Sequence, residues 1–527
     1  MSNAGDIAKV SAKGGFNVLW GLVVSAIISS VGTIFIARLL GSDLYGLYAI
    51  VLTAPHLIMI FRDWGVNSAM IRFTAQYRAE NRIAEVRSIF MSGLIFEIAL
   101  GLALSAISFA LSGFLATSVF NRPTIAPLIQ IASFSILTGG LISAATAAFT
   151  GTEKMQLNSI MIICQSIIKT LLVIALVILG LSTSGAVIGS TAASLIAGLI
   201  GIILMWTIYK NLPKPVTLKL EIKAYIKEML KYGVPLSVSA IIAGFLAQFY
   251  AFLLPIYYVT DNTMIGNYGI AHNFVVLIGF FATPITTMLF PAFSKLNAQK
   301  DKETLKNVYQ FSIKYASLLV IPAAALVMSL SEPAVSTLFG TTYETAPLFL
   351  ALLAISYLYT ALGSLSTGNL ISSQGQTKLV LKLTLLTAAI GFPMGSILIL
   401  QFGVIGLIIT TLTVGLPSLF VSLRWIKKHY SVTVDWRSSA KIFLSSSITA
   451  ALTYAIIAQL SFVSWIRLLL GVLVFILVLI PALLFTRAIT KSDISNMRAM
   501  ISGLGVLSGV INKVLNFIEK LIIALRL

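Results

Sequence analysis

Apolar runs of roughly 20 to 27 residues follow one another along most of this chain. Their length constrains the fold more than any other feature. A backbone surrounded by lipid has no water to satisfy its N–H and C=O groups, so only helices or closed barrels can span a bilayer. Barrel strands are alternating segments of about ten residues. These runs are continuous and about twice as long, so they read as helices. Only 10% of residues are charged, against about 25% in a soluble globular chain. Such a surface needs lipid as its solvent. The expected fold is an all-α polytopic membrane protein with about fourteen transmembrane helices, at 15–40, 43–61, 88–113, 124–149, 155–181, 184–209, 232–258, 265–293, 311–331, 345–371, 379–400, 403–423, 440–460 and 464–486.

The net charge of +19 invites a nucleic-acid reading, but the charges sort by membrane side. With the N-terminus inside, every one of the 36 Lys and Arg residues except Arg38, Arg122, Lys169 and Arg467 falls on an inner segment. The positive-inside rule then puts both termini in the cytoplasm of a cell membrane, with no nucleic-acid partner. Membrane lipids are expected partners, their anionic headgroups meeting some of these cations. The first run is too long for a signal peptide and lacks a small-residue cleavage site. The single cysteine, Cys164, excludes an intrachain disulfide. No cofactor or metal is expected: three histidines at no ligand spacing cannot build a metal cluster, and no phosphate-binding Gly-x-x-x-x-Gly-Lys run occurs.

The chain repeats itself. Gly41-Ser42-Asp43-Leu44-Tyr45-Gly46-Leu47-Tyr48 opens one apolar run, and Asp261-Asn262-Thr263-Met264-Ile265-Gly266-Asn267-Tyr268-Gly269 opens another. Gly151-Thr152-Glu153-Lys154 pairs with Gly375-Gln376-Thr377-Lys378, and Gly185 to Gly189 with Gly403 to Gly406. Six helices per copy is an even number, so the copies share orientation. The expected organisation is an N-lobe over 1–209, a cytoplasmic amphipathic linker over 210–231 and a C-lobe over 232–430. Two further spans over 431–489 and an interfacial helical tail over 490–527 follow. In the repeated turns, glycine is expected to permit the sharp reversal and tyrosine to sit at the interface.

Ala37-Arg38-Leu39-Leu40-Gly41, Tyr45-Gly46-Leu47-Tyr48, Asp63-Trp64-Gly65 and Ile71-Arg72-Phe73 resemble the opening of the polysaccharide transporter family. These are the Wzx-type oligosaccharide flippases of the multidrug/oligosaccharidyl-lipid/polysaccharide superfamily. Lys231 to Leu236, Gly266 to Ala271 and Phe290 to Ser294 resemble the second-lobe counterpart. Gly41-Ser42-Asp43 departs from the proline and acidic residues frequent there. The resemblance implies a flippase, not an enzyme. It would move a polyprenyl-diphosphate-linked oligosaccharide to the outer leaflet by rocking two lobes, with glycan-assembly enzymes as further candidate partners.

Within that frame the charged residues inside spans are the site candidates. Lys169 lies roughly 21 Å from either end of the fifth span, where a charge is costly unless it meets water or a partner. Two readings are open: it lines the cavity and attracts the diphosphate, or it pairs structurally with Glu97. Glu97 is either an ion-coupling carboxylate or that neutraliser. Arg38 either greets the substrate or snorkels at the interface. Arg62 and Asp63 are expected to bridge locally, and with Arg72 they form a candidate cytoplasmic gate or headgroup-capture cluster. His56 and His272 are candidate titrating groups, or hydrogen-bonded core residues. Asn17, Gln165, Gln248 and Asn273 suit sugar hydroxyls, or hydrogen bonds between helices.

The main rival is an ion-coupled multidrug or cation exporter of the same superfamily, but cationic drugs call for carboxylates. A membrane glycosyltransferase or polymerase calls for sizeable outer loops, and these loops are short.

Overall fold

The structure is a computed structural model describing residues 4–213, 222–297, 300–491 and scattered tail positions (493–495, 498, 512, 513, 515, 516, 519 and 520). Side chains are described from Gly21 onward, except at 280, 283–285, 287, 288, 290 and 291. Most of the expected tail helix and residues 214–221 of the expected linker lie outside the described residues.

Sixteen α-helices occur among the described residues: α1 Ala4–Met59, α2 Val66–Ala79, α3 Ile83–Phe114, α4 Ala126–Gly151, α5 Met155–Leu176, α6 Ser182–Lys210, α7 Ile222–Tyr257, α8 Thr263–Ser294, α9 Lys302–Ser329, α10 Ser331–Phe339, α11 Ala346–Leu358, α12 Ser364–Ser373, α13 Thr377–Thr413, α14 Leu416–Tyr430, α15 Trp436–Ala458 and α16 Ser464–Phe485. Nine helical stretches among the described residues are long and apolar enough to cross a membrane, or ten counting α11 and α12, bent by 54° at Gly363, as one broken span.

Three of the nine are long stretches with an internal break. Gly21–Met59, Met155–Lys210 and Thr377–Tyr430 hold 39, 56 and 54 residues, about 58, 84 and 81 Å at 1.5 Å per residue. The hydrocarbon core is about 30 Å thick. Each is broken by a glycine outside helical geometry: Gly41 (φ 71°), Gly180 (φ 88°) and Gly403 (φ 57°). Positive φ is open to glycine at no steric cost, so these glycines mark the hairpin corners. The reversal in the first repeated motif therefore sits at Gly41. Gly46, expected to serve it, is helical.

The chain forms two compact units, Met1–Ile270 with Thr384–Thr410, and Ala271–Leu383 with Thr411–Leu527. In the first, helices meet through small and hydroxyl residues, as membrane helices do where lipid supplies no hydrophobic drive. Gly101 of α3 lies against Leu137 of α4. Close by, Ser108 and Ser133 hydroxyls meet at 2.7 Å and Ser105 donates to the Ser133 carbonyl at 2.9 Å. Gly189 of α6 touches Val173 of α5, and Gly201 touches Met161. Large apolar side chains such as Leu171, Leu179 and Ile203 stay exposed, as a lipid-facing surface requires.

The polar stretch after the second span is also a helix. In α2, Val66, Ala69, Met70, Phe73, Thr74 and Tyr77 are buried, one stripe at helical spacing. That stripe packs into a core with Ile89, Phe90, Phe149, Met161 and Met229. Tyr225 and Ile226, on the apolar face expected of the linker, pack against the same core as the first turns of α7. In the second unit Phe293, Tyr309, Ile313, Leu370, Ile426 and Val432 form a separate core.

Candidate functional site

The first unit carries the charged residues that matter most, and α1 and α5 position two of them. The α1 and α5 backbones run in parallel, since Gly21 meets Ser159 and Gly32 meets Thr170. Ser25 and Ser166 hydroxyls lie 2.6 Å apart between these contacts, and Ser29 donates to Ser166 at 3.2 Å. Ser159, Ser166 and Thr170 form the α1-facing stripe of α5. Gln165 and Lys169, one turn apart, share the neighbouring face. Gln165 is half-buried and Lys169 exposed. His56, from the second segment of α1, is exposed and within electrostatic reach of Lys169. The structure therefore places Lys169 near the middle of α5 and His56 in the last turn of α1.

Glu97 is not the partner of Lys169. Its carboxylate accepts from the Arg62 guanidinium through Oε2 and from Asn67 Nδ2 through Oε1 at 2.6 Å. Arg62 also donates to Ser143 of α4 at 2.9 Å. Both charges are buried, with side-chain exposures of 9% for Arg62 and 0% for Glu97. Gly140 makes room for them: a Cβ there would lie 3.1 Å from both the Glu97 carbonyl and Oε2. The expected Arg62–Asp63 bridge does not form. Gly65 is left-handed (φ 81°) at the start of α2, and this turn brings its N–H to Asp63 Oδ1 at 2.8 Å. Asp63 is held by the backbone turn ahead of α2 and leaves Arg62 to Glu97.

Two glycine pairs bracket the second segment of α1. At the Gly41 end the two repeated motifs meet: a Cβ on Gly46 would lie 1.9 Å from the Asn262 carbonyl oxygen, and one on Gly266 would lie 2.0 Å from the Ser42 carbonyl oxygen. At the other end a Cβ on Gly65 would lie 2.2 Å from the Gly233 carbonyl oxygen, and one on Gly233 would lie 2.4 Å from that of Gly65. Arg72 stacks beside this second pair, its guanidinium 4.2 Å from the Tyr232 ring centre. About 20 Å of helix separates Gly46 from Met59, and His56 falls on it.

Arg122, set aside in the sequence as a leftover outer cation, anchors the Gly41 end. It is 9% exposed. It donates to Asn262 Oδ1 at 3.0 Å, to the Phe120 carbonyl at 2.9 Å, to the Pro255 carbonyl at 3.2 Å and to the Tyr258 carbonyl. Asn262 in turn donates from Nδ2 to Asp43 at 3.1 Å. Arg122, Asn67, Ser143 and the two glycine pairs were not picked out by sequence reasoning. The only available signal was that Gly46 and Gly266 recur in both repeats.

The other candidates are not gathered here. Arg38 is exposed on α1 just before the kink, and Gln248 is half-buried on α7. His272 and Asn273 are exposed residues of the second unit. Asn17 lies in α1, its side chain outside the described set. No group of three or more potential metal ligands occurs among the described residues.

Comparison with known proteins adds to this geometry. A family described as polysaccharide biosynthesis protein matches residues 35–348. An uncharacterized membrane protein of Methanocaldococcus jannaschii is 22% identical over 379 residues, 69% of this chain and 74% of that protein. The probable low-salt glycan biosynthesis flippase Agl15 of Haloferax volcanii is 21% identical over 233 residues, 44% of this chain and 49% of that one. Among solved structures, the lipid II flippase MurJ in an inward closed conformation shares the fold with a TM-score of 0.68. Its identity is 17%, covering 89% of this chain and 98% of that one. An inward-facing multidrug resistance MATE family transporter of the MOP superfamily has a TM-score of 0.60 at 15% identity, covering 77% and 94%.

Proposed function

We propose that this chain, which belongs to the polysaccharide biosynthesis protein family, is a flippase for a polyprenyl-diphosphate-linked oligosaccharide. It moves this substrate from the cytoplasmic to the outer leaflet of the cell membrane by alternating access, for surface-glycan assembly. The observation that carries the reading is the exposed Lys169 near the middle of α5, with the Glu97 carboxylate engaged by Arg62 instead of by this lysine. A membrane-depth cation that Glu97 does not neutralise suits an anionic headgroup. The glycan-flippase name of the Haloferax relative points the same way.

Both glycine contacts are shut, with His56 on the segment between them, which supports a state closed at each end. Alternating access opens the Gly46–Gly266 contact to the outer side and the Gly65–Gly233 contact to the cytoplasm. The three kinked helices, taken as two crossings each, together with α8 and the bent α11–α12 pair, support fourteen crossings. Those crossings are two six-helix lobes, 1–209 and 232–430, and two further spans, with both termini cytoplasmic.

The test is flipping of a fluorescent polyprenyl-diphosphate oligosaccharide by the full chain in proteoliposomes. The expected result is acceleration over empty vesicles, strongly reduced by Lys169→Ala and less so by Lys169→Arg. No acceleration, paired with ion-driven efflux of a cationic dye, would turn the reading over to the multidrug exporter. Flipping left intact in Lys169→Ala would remove the lysine from the site.

A further inference from the structure

We propose that the groove between α14 and the start of α15 is a binding site for the headgroup of an anionic phospholipid. The groove has a volume of about 470 Å³ and is lined by Phe420, Leu423, Arg424, Lys427, the segment Val432–Val434 and Trp436. Volumes of this order are typical of ligand sites.

Sequence and local structure build the two walls. Phe420, Arg424 and Lys427 stand at i, i+4 and i+7 of α14, one face of the helix. Ser431, left-handed at φ 57°, ends α14 and reverses the chain. The next residues form an irregular segment, with Val432 and Val434 buried in the second unit's core. Gln310 donates to the Thr433 carbonyl at 3.0 Å and holds this wall in place.

Asp435, next in sequence to the lining residues Val434 and Trp436, is turned to the start of α15, and its single charge offsets only part of that of Arg424 and Lys427. Asp435 accepts from the Arg437 and Ser438 backbone N–H groups at 3.2 Å and from the Ser438 hydroxyl at 2.6 Å, capping α15. Arg424 and Lys427 make no ion pair among the described residues. Phe420 and Trp436 are 52% and 54% exposed.

Placement identifies the occupant. The groove lies where two apolar stretches, Thr377–Tyr430 and Trp436–Ala458, end and begin, so it opens at the edge of the hydrocarbon layer. An exposed tryptophan suits that depth, and Lys428 and Arg437 add to the positive field. A ligand with an anionic phosphate for Arg424 and Lys427 and acyl carbons for Phe420, Leu423 and Trp436 fits both halves. Phospholipids of the cytoplasmic leaflet have that chemistry.

The experiment is quenching of Trp436 fluorescence in the full chain by brominated lipids, isolated by difference from Trp436→Phe. Brominated phosphatidylglycerol should quench at lower mole fraction than brominated phosphatidylcholine. The preference should be about 30-fold at low salt for two basic residues, shrinking as salt screens them. Arg424→Gln with Lys427→Gln should abolish the preference, and Arg424→Lys with Lys427→Arg should keep it. Equal quenching by the two lipids in the unsubstituted protein overturns the proposal by itself, whether or not the variants fold. So does a preference that survives the double Gln change. Relief of quenching by inorganic pyrophosphate would reassign the groove to a soluble diphosphate.

Discussion

Gly46 and Gly266 touch backbone to backbone in a reciprocal way, each packed on the carbonyl of the residue four positions before the other. The two copies of the repeated motif thus close against one another. A side chain at either position clashes only while the contact is shut. Overpacking of this kind costs about 1–3 kcal/mol, so Gly266→Leu should lower the closed population about 5- to 150-fold. Tyr45 is buried beside Gly269 in the same contact. In a Cys164→Ala background, Tyr45→Cys should react with a water-soluble maleimide faster when Gly266→Leu is added. Unchanged labelling would mean that the contact does not open.

Arg122 offers a second handle on the same end. Its guanidinium serves three carbonyls and the Asn262 amide while buried. Arg122→Ala removes hydrogen bonds from a charged donor, each about 1.5–3 kcal/mol, and strands acceptors. Arg122→Lys keeps the charge but cannot reproduce the fork. Thermal unfolding in detergent should rank the native protein above Lys and Lys above Ala. An Ala variant as stable as the native protein would contradict this role.

Helices and family were legible in the sequence because each is written over many residues. A 20-residue apolar run needs no knowledge of its neighbours, and motifs such as Asp63-Trp64-Gly65 are local. Side-chain partnership is not local. Arg62 stands next to Asp63, so a bridge was the natural reading, yet one left-handed glycine gives that carboxylate to the backbone. Glu97 suits Lys169 as a partner in the sequence because both lie deep in spans. What decides between Lys169 and Arg62 is how α3 and α4 pack, with Gly140 opening the space for Arg62. Gly46 looks like a turn residue because glycine's two uses, positive φ and close approach, are identical in a sequence.

Asp493 gives a pH-dependent prediction outside the spans. It is 2% exposed and accepts from Lys314 Nζ at 2.7 Å, Thr490 N at 2.8 Å and Thr490 Oγ1 at 2.7 Å. Burial alone would raise its pKa, but these donors outweigh burial and hold it below the ordinary 3.8. A carboxylate depressed in the folded state stabilises it above the unfolded value and loses that contribution as pH falls through the folded one. Asp493→Asn should therefore be less stable than the native protein at pH 7, with the gap closing below about pH 4. A gap constant from pH 7 to pH 3 would separate Asp493 from acid sensitivity.

The Arg62–Glu97 pair distinguishes architecture from ion coupling. Both side chains are out of water, so removing one leaves the other as an uncompensated buried charge, at a cost of about 3–5 kcal/mol. Replacing both with apolar groups of similar size removes the charges together and is often neutral. Glu97→Ala and Arg62→Met should each lower unfolding stability strongly, while Arg62→Met with Glu97→Met should recover most of it. The same double variant should also keep most of its flipping activity, because the pair has no room for substrate beneath Gly140. If stability returns while dependence of flipping on an ion gradient is lost, Glu97 is the coupling carboxylate, and its bond to Arg62 is one state of a switch.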